Sequence, residues 1–220
     1  MNVNGVTPNS TIFSQRPSAL SQREVIRQPA AGQAATEPTV QKSTERPFYE
    51  YQDEPWLTEP GIEVVAAVGG FVKWAKIEEL LDFALMHSVY DSFMRRLGDA
   101  HPEIAGKKFG FTLGADTSIK IVGCDDRMTE NEKSVLTDAI NNHTGFKFQL
   151  HLVARGYMTL VDHDRETFGG RYRLDIDNFN RVIDFSKILG AGQAGMHDEW
   201  VRQVIANAEQ RDSSSILLTV

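Results

Sequence analysis

Cysteine is almost absent from this 220-residue chain, in which Cys124 is the only one. A disulfide framework needs paired cysteines, and a zinc-finger site needs more than one thiolate. The sequence therefore excludes a small secreted scaffold that is held together by disulfides. It also excludes a structural zinc finger.

Long apolar runs and an excess of basic residues are missing as well. The longest apolar stretch, residues 64–72, is far shorter than the roughly 20 residues that a membrane-spanning helix needs. The chain has 23 Lys and Arg against 30 Asp and Glu, a formal net charge of −7. Nucleic-acid binding depends on basic groups that contact phosphates. We therefore predict a soluble, acidic protein with no membrane insertion and no nucleic-acid partner.

Proline is nearly absent from the second part of the chain, because seven of the eight prolines lie at or before Pro60. Residues 1–46 also have too few apolar side chains to offset the entropy lost on ordering. We predict a disordered tail over residues 1–46, an aromatic linker over residues 47–60 and one globular domain over residues 61–220. The linker has four aromatic residues, and we expect it to pack on the domain's own surface, with packing on a partner as the alternative.

The tail has a biased composition. No acidic residue precedes Glu24, and serines recur at Ser10, Ser14, Ser18, Ser21 and Ser43. In this composition the first 50 residues resemble the unstructured export region of bacterial type III secreted effectors, especially those of plant-associated bacteria. A plain flexible tail is the alternative. The tail lacks the apolar core of a signal peptide, so we expect a protein that is either cytoplasmic or secreted without a classical signal.

Hydrophobic periodicity predicts an α+β fold that is mainly helical, with four or so helices around one β-hairpin. Residues 109–113 and 119–122 alternate like two strands around a turn, and Thr129 begins a capping box. Residues 146–161 fit both a strand and a helix, and their length favours a helix. Helical spacing also occurs in three further ranges. The first is 73–97, which Gly98 is predicted to end, and the second is 178–189, which Asp177 is predicted to cap. The third runs from Met196 to about residue 209. Residues 216–220 could add a strand to the hairpin.

Two groups of residues are candidates for chemistry. Gly190, Gly192 and Gly195 match a dinucleotide-binding glycine pattern, but the chain ends too soon after them for the strands and the acidic residue that such a fold needs. Asp162, His163 and Asp164 combine carboxylates with an imidazole and are candidates for metal binding or acid–base catalysis. The alternative is a helix C-terminus with a solvated histidine. We therefore assign no cofactor and no metal.

The sequence leaves three functional hypotheses open. The first is a bacterial protein-interaction or effector-type protein that acts by binding a protein partner, with type III secretion as its route of export if the tail is an export signal. The second is a small enzyme that uses the cluster at residues 162–164. The third is a cytoplasmic protein of another kind with an incidental flexible tail.

Overall fold

Two long helices and the elements packed against them build the fold. The structure is a computed structural model, and it describes residues 47–58, 68–124 and 127–211. In these ranges the helices are α1 (Pro55–Thr58), α2 (Val68–Ala100), α3 (Pro102–Ala105), α4 (Glu130–Asn142), α5 (Thr144–His163), α6 (Arg165–Phe168), α7 (Phe179–Val182), α8 (Phe185–Gly190) and α9 (Gly192–Asn207). The strands are β1 (Gly110–Leu113), β2 (Ile119–Val122), β3 (Tyr172–Arg173) and β4 (Glu209–Gln210).

Helix α2 packs most extensively against α5. Its buried residues recur at helical spacing, so that one face enters the core (Phe71, Ala75, Phe83, Met86, Phe93 and Leu97). The prediction that Gly98 ends this helix is wrong, because α2 continues to Ala100. Pro102 explains the actual end. A proline disfavours helical geometry in the residue before it, and His101 is non-helical, with φ −142° and ψ 66°.

The predicted β-hairpin is present and deeply buried. Strands β1 and β2 pair antiparallel, with Phe111 opposite Ile121. Every residue of β1 is buried, including Thr112. Phe111 contacts the rings of Phe146 and Phe185, so helices cover the hairpin where it meets the core.

Local signals placed α4 and α5 correctly. The Thr129 side chain accepts a hydrogen bond from the Glu132 backbone, and the Glu132 carboxylate accepts one from the Thr129 backbone, which completes the capping box. A single residue, His143, separates α4 from α5. Its Nδ1 accepts a hydrogen bond from the backbone N–H of Phe146 and caps α5. The helix predicted over residues 146–161 is thus confirmed.

The region after α5 departs from the prediction in detail. Asp177 does not cap a helix. The range 178–189 divides into α7 and α8, and Asp184 caps α8 by accepting a hydrogen bond from Ser186. Helix α9 begins at Gly192, four residues before the predicted start at Met196. Strands β3 and β4 form a second small ladder that was not predicted.

The aromatic linker packs on its own domain, as expected. Phe48 and Tyr49 lie against the core. The fold class, α+β and mainly helical around one hairpin, is confirmed. Within the described ranges, every helix is too short or too polar to span a membrane. The predicted disordered tail at residues 1–46 and the predicted strand at residues 216–220 lie outside the described residues.

Candidate functional site

Asp162 joins three separate parts of the chain. It lies near the end of α5, and its Oδ2 accepts a hydrogen bond of 2.7 Å from the Tyr49 hydroxyl of the linker. Its Oδ1 forms an ion pair with Arg211, which follows β4. Burial raises the pKa of Tyr49 well above its ordinary value, and the adjacent Asp162 charge raises it further. Asp162 therefore holds both the linker and residue 211 against α5.

His163 lies among three aromatic rings at the C-terminus of α5. Tyr51 stacks on the imidazole at a centroid distance of 5.6 Å, and Trp56 and Phe71 make edge contacts at 6.2 and 5.7 Å. Burial lowers the pKa of His163, although the neighbouring Asp162 opposes this effect. The histidine is only 8% exposed. The expectation of a solvated histidine is thus wrong, because linker aromatics cover the ring.

Asp164 is buried between α2 and the start of α6. It accepts hydrogen bonds from the Thr167 backbone at 3.2 Å and from Lys76 at 2.8 Å. Burial favours a higher pKa for Asp164, but the bonds from Lys76 and Thr167 outweigh it and lower the pKa. The partners of Asp162, His163 and Asp164 do not overlap, so the three groups do not converge on one ligand position. Among the described residues, no three His, Cys, Asp or Glu side chains are grouped to hold a metal ion.

The glycine pattern forms the joint between two helices. Gly190 ends α8, and Gly192 begins α9 with φ +68°, a conformation that favours glycine. Gly195 lies in the first turn of α9, close to the side chain of Ala191. A dinucleotide-binding loop connects a strand to a helix. Here helix α8 occupies the position at which the motif requires a strand.

A buried polar cluster connects α2 to α9. The side chain of Glu79 is 1% exposed, and its carboxylate accepts hydrogen bonds from the Trp200 indole at 2.5 Å and from His197 at 3.1 Å. The bond to Glu79 raises the pKa of His197. The Tyr157 ring stacks on Trp200 at 4.3 Å, and its buried hydroxyl has no hydrogen-bond partner among the residues that the structure describes.

Sequence reasoning missed this cluster, although one signal was available. Glu79 occupies a position of the buried register of α2, four residues after Ala75 and four before Phe83. An acidic residue at such a position needs a buried partner. The sequence could not identify that partner, because Trp200 is 121 residues away.

The solvent-facing side of α2 is also apolar. Five large side chains, which we call the outer face, remain 46–62% exposed (Trp74, Ile77, Leu80, Leu81 and Leu85). Together with the buried face, they make α2 apolar on almost all sides between residues 71 and 86. A helix of this kind is normally covered by other protein.

A groove of about 730 Å³ lies beside the outer face. It is lined by the linker, α2 and α5, and we call it the α2–α5 groove. Its main apolar side chains are Phe48, Phe71, Leu81, Leu85, Leu152 and Val153. Leu81 and Leu85 also belong to the outer face, so the groove and the outer face form one continuous surface.

Four acidic residues line the groove, and three of them are Glu50, Glu78 and Asp82. Glu79 lines it as well, but its carboxylate is bonded to α9. The guanidinium of Arg155 is over the Phe48 ring, 5.8 Å from its centroid. The groove thus combines an apolar lining with a predominantly negative charge.

The outer face and the groove are therefore the candidate functional site, whereas Asp162, His163 and Asp164 make contacts that hold the fold together. The sequence predicted neither the outer face nor the groove, since it does not reveal which side of an apolar helix stays uncovered. The chain matches no family model, no curated protein and no solved structure.

Proposed function

We propose that this chain is a bacterial effector-type protein that acts by binding another protein. The observation that carries the proposal is the outer face of α2, where five large apolar side chains stay about half exposed. Contiguous exposed apolar surface of this kind marks protein-binding sites. We propose further that residues 1–50 direct export through a type III secretion system, which their resemblance to effector export regions supports.

The binding free energy that the outer face can contribute follows from its apolar area. Covering the exposed half of five large apolar side chains contributes about 5 kcal/mol. Association costs about 4–15 kcal/mol in lost freedom of motion. The outer face alone therefore supports only weak binding, and a partner must make further contacts next to it.

The double variant Ile77→Asp/Leu80→Asp tests binding through the outer face. Wild-type protein is immobilised and exposed to plant-cell extract and, separately, to bacterial extract. A protein that it retains is purified and titrated. We expect the double variant to bind that protein at least tenfold more weakly, because two carboxylates disrupt the apolar contact.

Ile205→Asp is the matched control, since Ile205 is 48% exposed on α9. Circular dichroism establishes that the variants remain folded. If the outer-face variant and the control bind every retained protein as the wild type does, the proposed binding role is wrong.

A fusion of residues 1–50 to a reporter enzyme tests export. We expect the reporter in the culture medium of a strain with a working type III apparatus, and none in the medium of an isogenic strain that lacks its ATPase. Absence of the reporter from both media, or equal amounts in both, would contradict the export proposal.

A further inference from the structure

We infer that the α2–α5 groove binds a basic, amphipathic helical segment of the protein partner, an inference that rests on the proposed binding function. The combined surface suits a helix. From Trp74 to Leu85, α2 presents apolar side chains over about 16 Å, or three helical turns. An amphipathic helix places apolar side chains along one face at this spacing, and helix-in-groove docking is a common mode of recognition.

The charge of the groove selects a basic occupant. In the described part of the chain, the carboxylates of Glu50 and Glu78 have no ion-pair or hydrogen-bond partner, and both residues are exposed. Asp82 accepts a hydrogen bond from the neutral Gln149 side chain. The cation in the groove, Arg155, is placed over Phe48. Lysine or arginine side chains of a docked helix would complement these carboxylates.

Gly156 gives independent support for an occupant. It lies inside α5 and lines the groove. Glycine weakens a helix interior relative to alanine. A Cβ atom built at this position meets none of the described residues within 4 Å, so packing among them does not require a glycine there. The missing side chain leaves room for a segment that approaches α5 closely in the groove.

The test uses the full-length chain and two fluorescein-labelled 18-residue peptides. One peptide has leucine at positions i, i+3, i+4 and i+7 of each helical repeat and lysine elsewhere. The other has glutamate in place of every lysine. Fluorescence anisotropy measures binding. We expect the lysine peptide to bind at least tenfold more tightly than the glutamate peptide.

Two variants localise binding to the groove. Gly156→Phe fills it, and Glu50→Lys/Glu78→Lys reverses its charge. We expect each to weaken binding of the lysine peptide at least tenfold. Asp138→Lys/Glu166→Lys makes the same change in net charge at exposed positions outside the groove lining, and we expect less than a threefold effect. Gly156→Ala should raise the melting temperature and weaken binding, a combination that a purely structural role of Gly156 does not produce.

Three results would overturn the inference. The first is equal binding of the two peptides. The second is an equal effect of the two charge-reversing variants, which indicates attraction to the overall charge alone. The third is unchanged binding by Gly156→Phe. Sedimentation of the full chain tests whether the groove instead binds a second copy of this chain. A dimer that Gly156→Phe dissociates would mean that it does, and would also overturn the inference.

The same variants separate this inference from the proposed function. If a captured partner depends on Ile77 and Leu80 but binds Gly156→Phe normally, the protein-binding function stands and the groove inference fails. If the lysine peptide binds in the groove while no partner depends on the outer face, the groove inference stands and the proposed function fails.

Discussion

Trp200→Ala is expected to lower the free energy of unfolding by about 3–5 kcal/mol, the usual cost of deleting a buried aromatic side chain. Trp200 has no exposed surface. Its ring stacks on Tyr157 at 4.3 Å and contacts Phe168 at 5.4 Å. Its indole also donates to Glu79, so the substitution removes both packing volume and a hydrogen bond to a buried carboxylate. Urea denaturation followed by circular dichroism measures the change.

Two further variants separate the contribution of the indole hydrogen bond from that of buried packing. Trp200→Phe keeps most of the ring and removes the N–H donor, and we expect a loss of about 1–3 kcal/mol for an incompletely satisfied carboxylate. Trp74→Ala deletes the same residue type from the outer face, where the side chain is 46% exposed. We expect it to cost less than about 1 kcal/mol. A similar cost for Trp74→Ala and Trp200→Ala would mean that the buried cluster has no special role in stability.

Asp162→Ala is expected to lower the free energy of unfolding by about 2–3 kcal/mol. The substitution leaves the Arg211 guanidinium and the Tyr49 hydroxyl without the carboxylate that they share. Removing one partner of a buried pair leaves the other uncompensated. The linker should also loosen, so chymotrypsin should cleave near Tyr49 and Tyr51 faster than in the wild type. Stability and cleavage rates are both measured on the full chain.

Asp138→Ala serves as the matched control, because Asp138 is exposed on α4. We expect it to change stability by less than about 0.5 kcal/mol and to leave cleavage unchanged. If Asp162→Ala behaves like this control, Asp162 does not hold the linker in place. The hypothesis of an enzyme that uses residues 162–164 would then regain support.

The contrast between α5 and the glycine run shows what sequence patterns can resolve. Residues 146–161 fit two periodicities, and length decided correctly for a helix because a strand of sixteen residues is unusual. The glycine run matched a motif letter by letter. The motif needs a strand before it, and the run begins at the last residue of helix α8 instead. A short motif therefore has meaning only in its structural context.

The outer face shows a different limit of prediction from sequence. Periodicity predicted an amphipathic helix from an apolar stripe that includes Ile77 and Leu80, but the structure leaves both side chains exposed. A different side of α2, with Ala75, Phe83 and Met86, enters the core. From sequence alone, such a helix looks buried on all sides. The groove beside it depends on where the linker crosses α2 and α5, which no local pattern specifies.

By itself, the sequence determined the local features of this protein. The capping box at Thr129, the turn of the hairpin and the apolar spacing of α2 and α5 involve residues only a few positions apart, so their geometry follows from local bonding and side-chain periodicity. The tertiary structure alone decided the pairs formed by Glu79 with Trp200 and by Tyr49 with Asp162. These partners lie more than 100 residues apart. They meet only in the folded chain, because bringing such distant residues together costs loop-closure entropy that the burial of the core must offset.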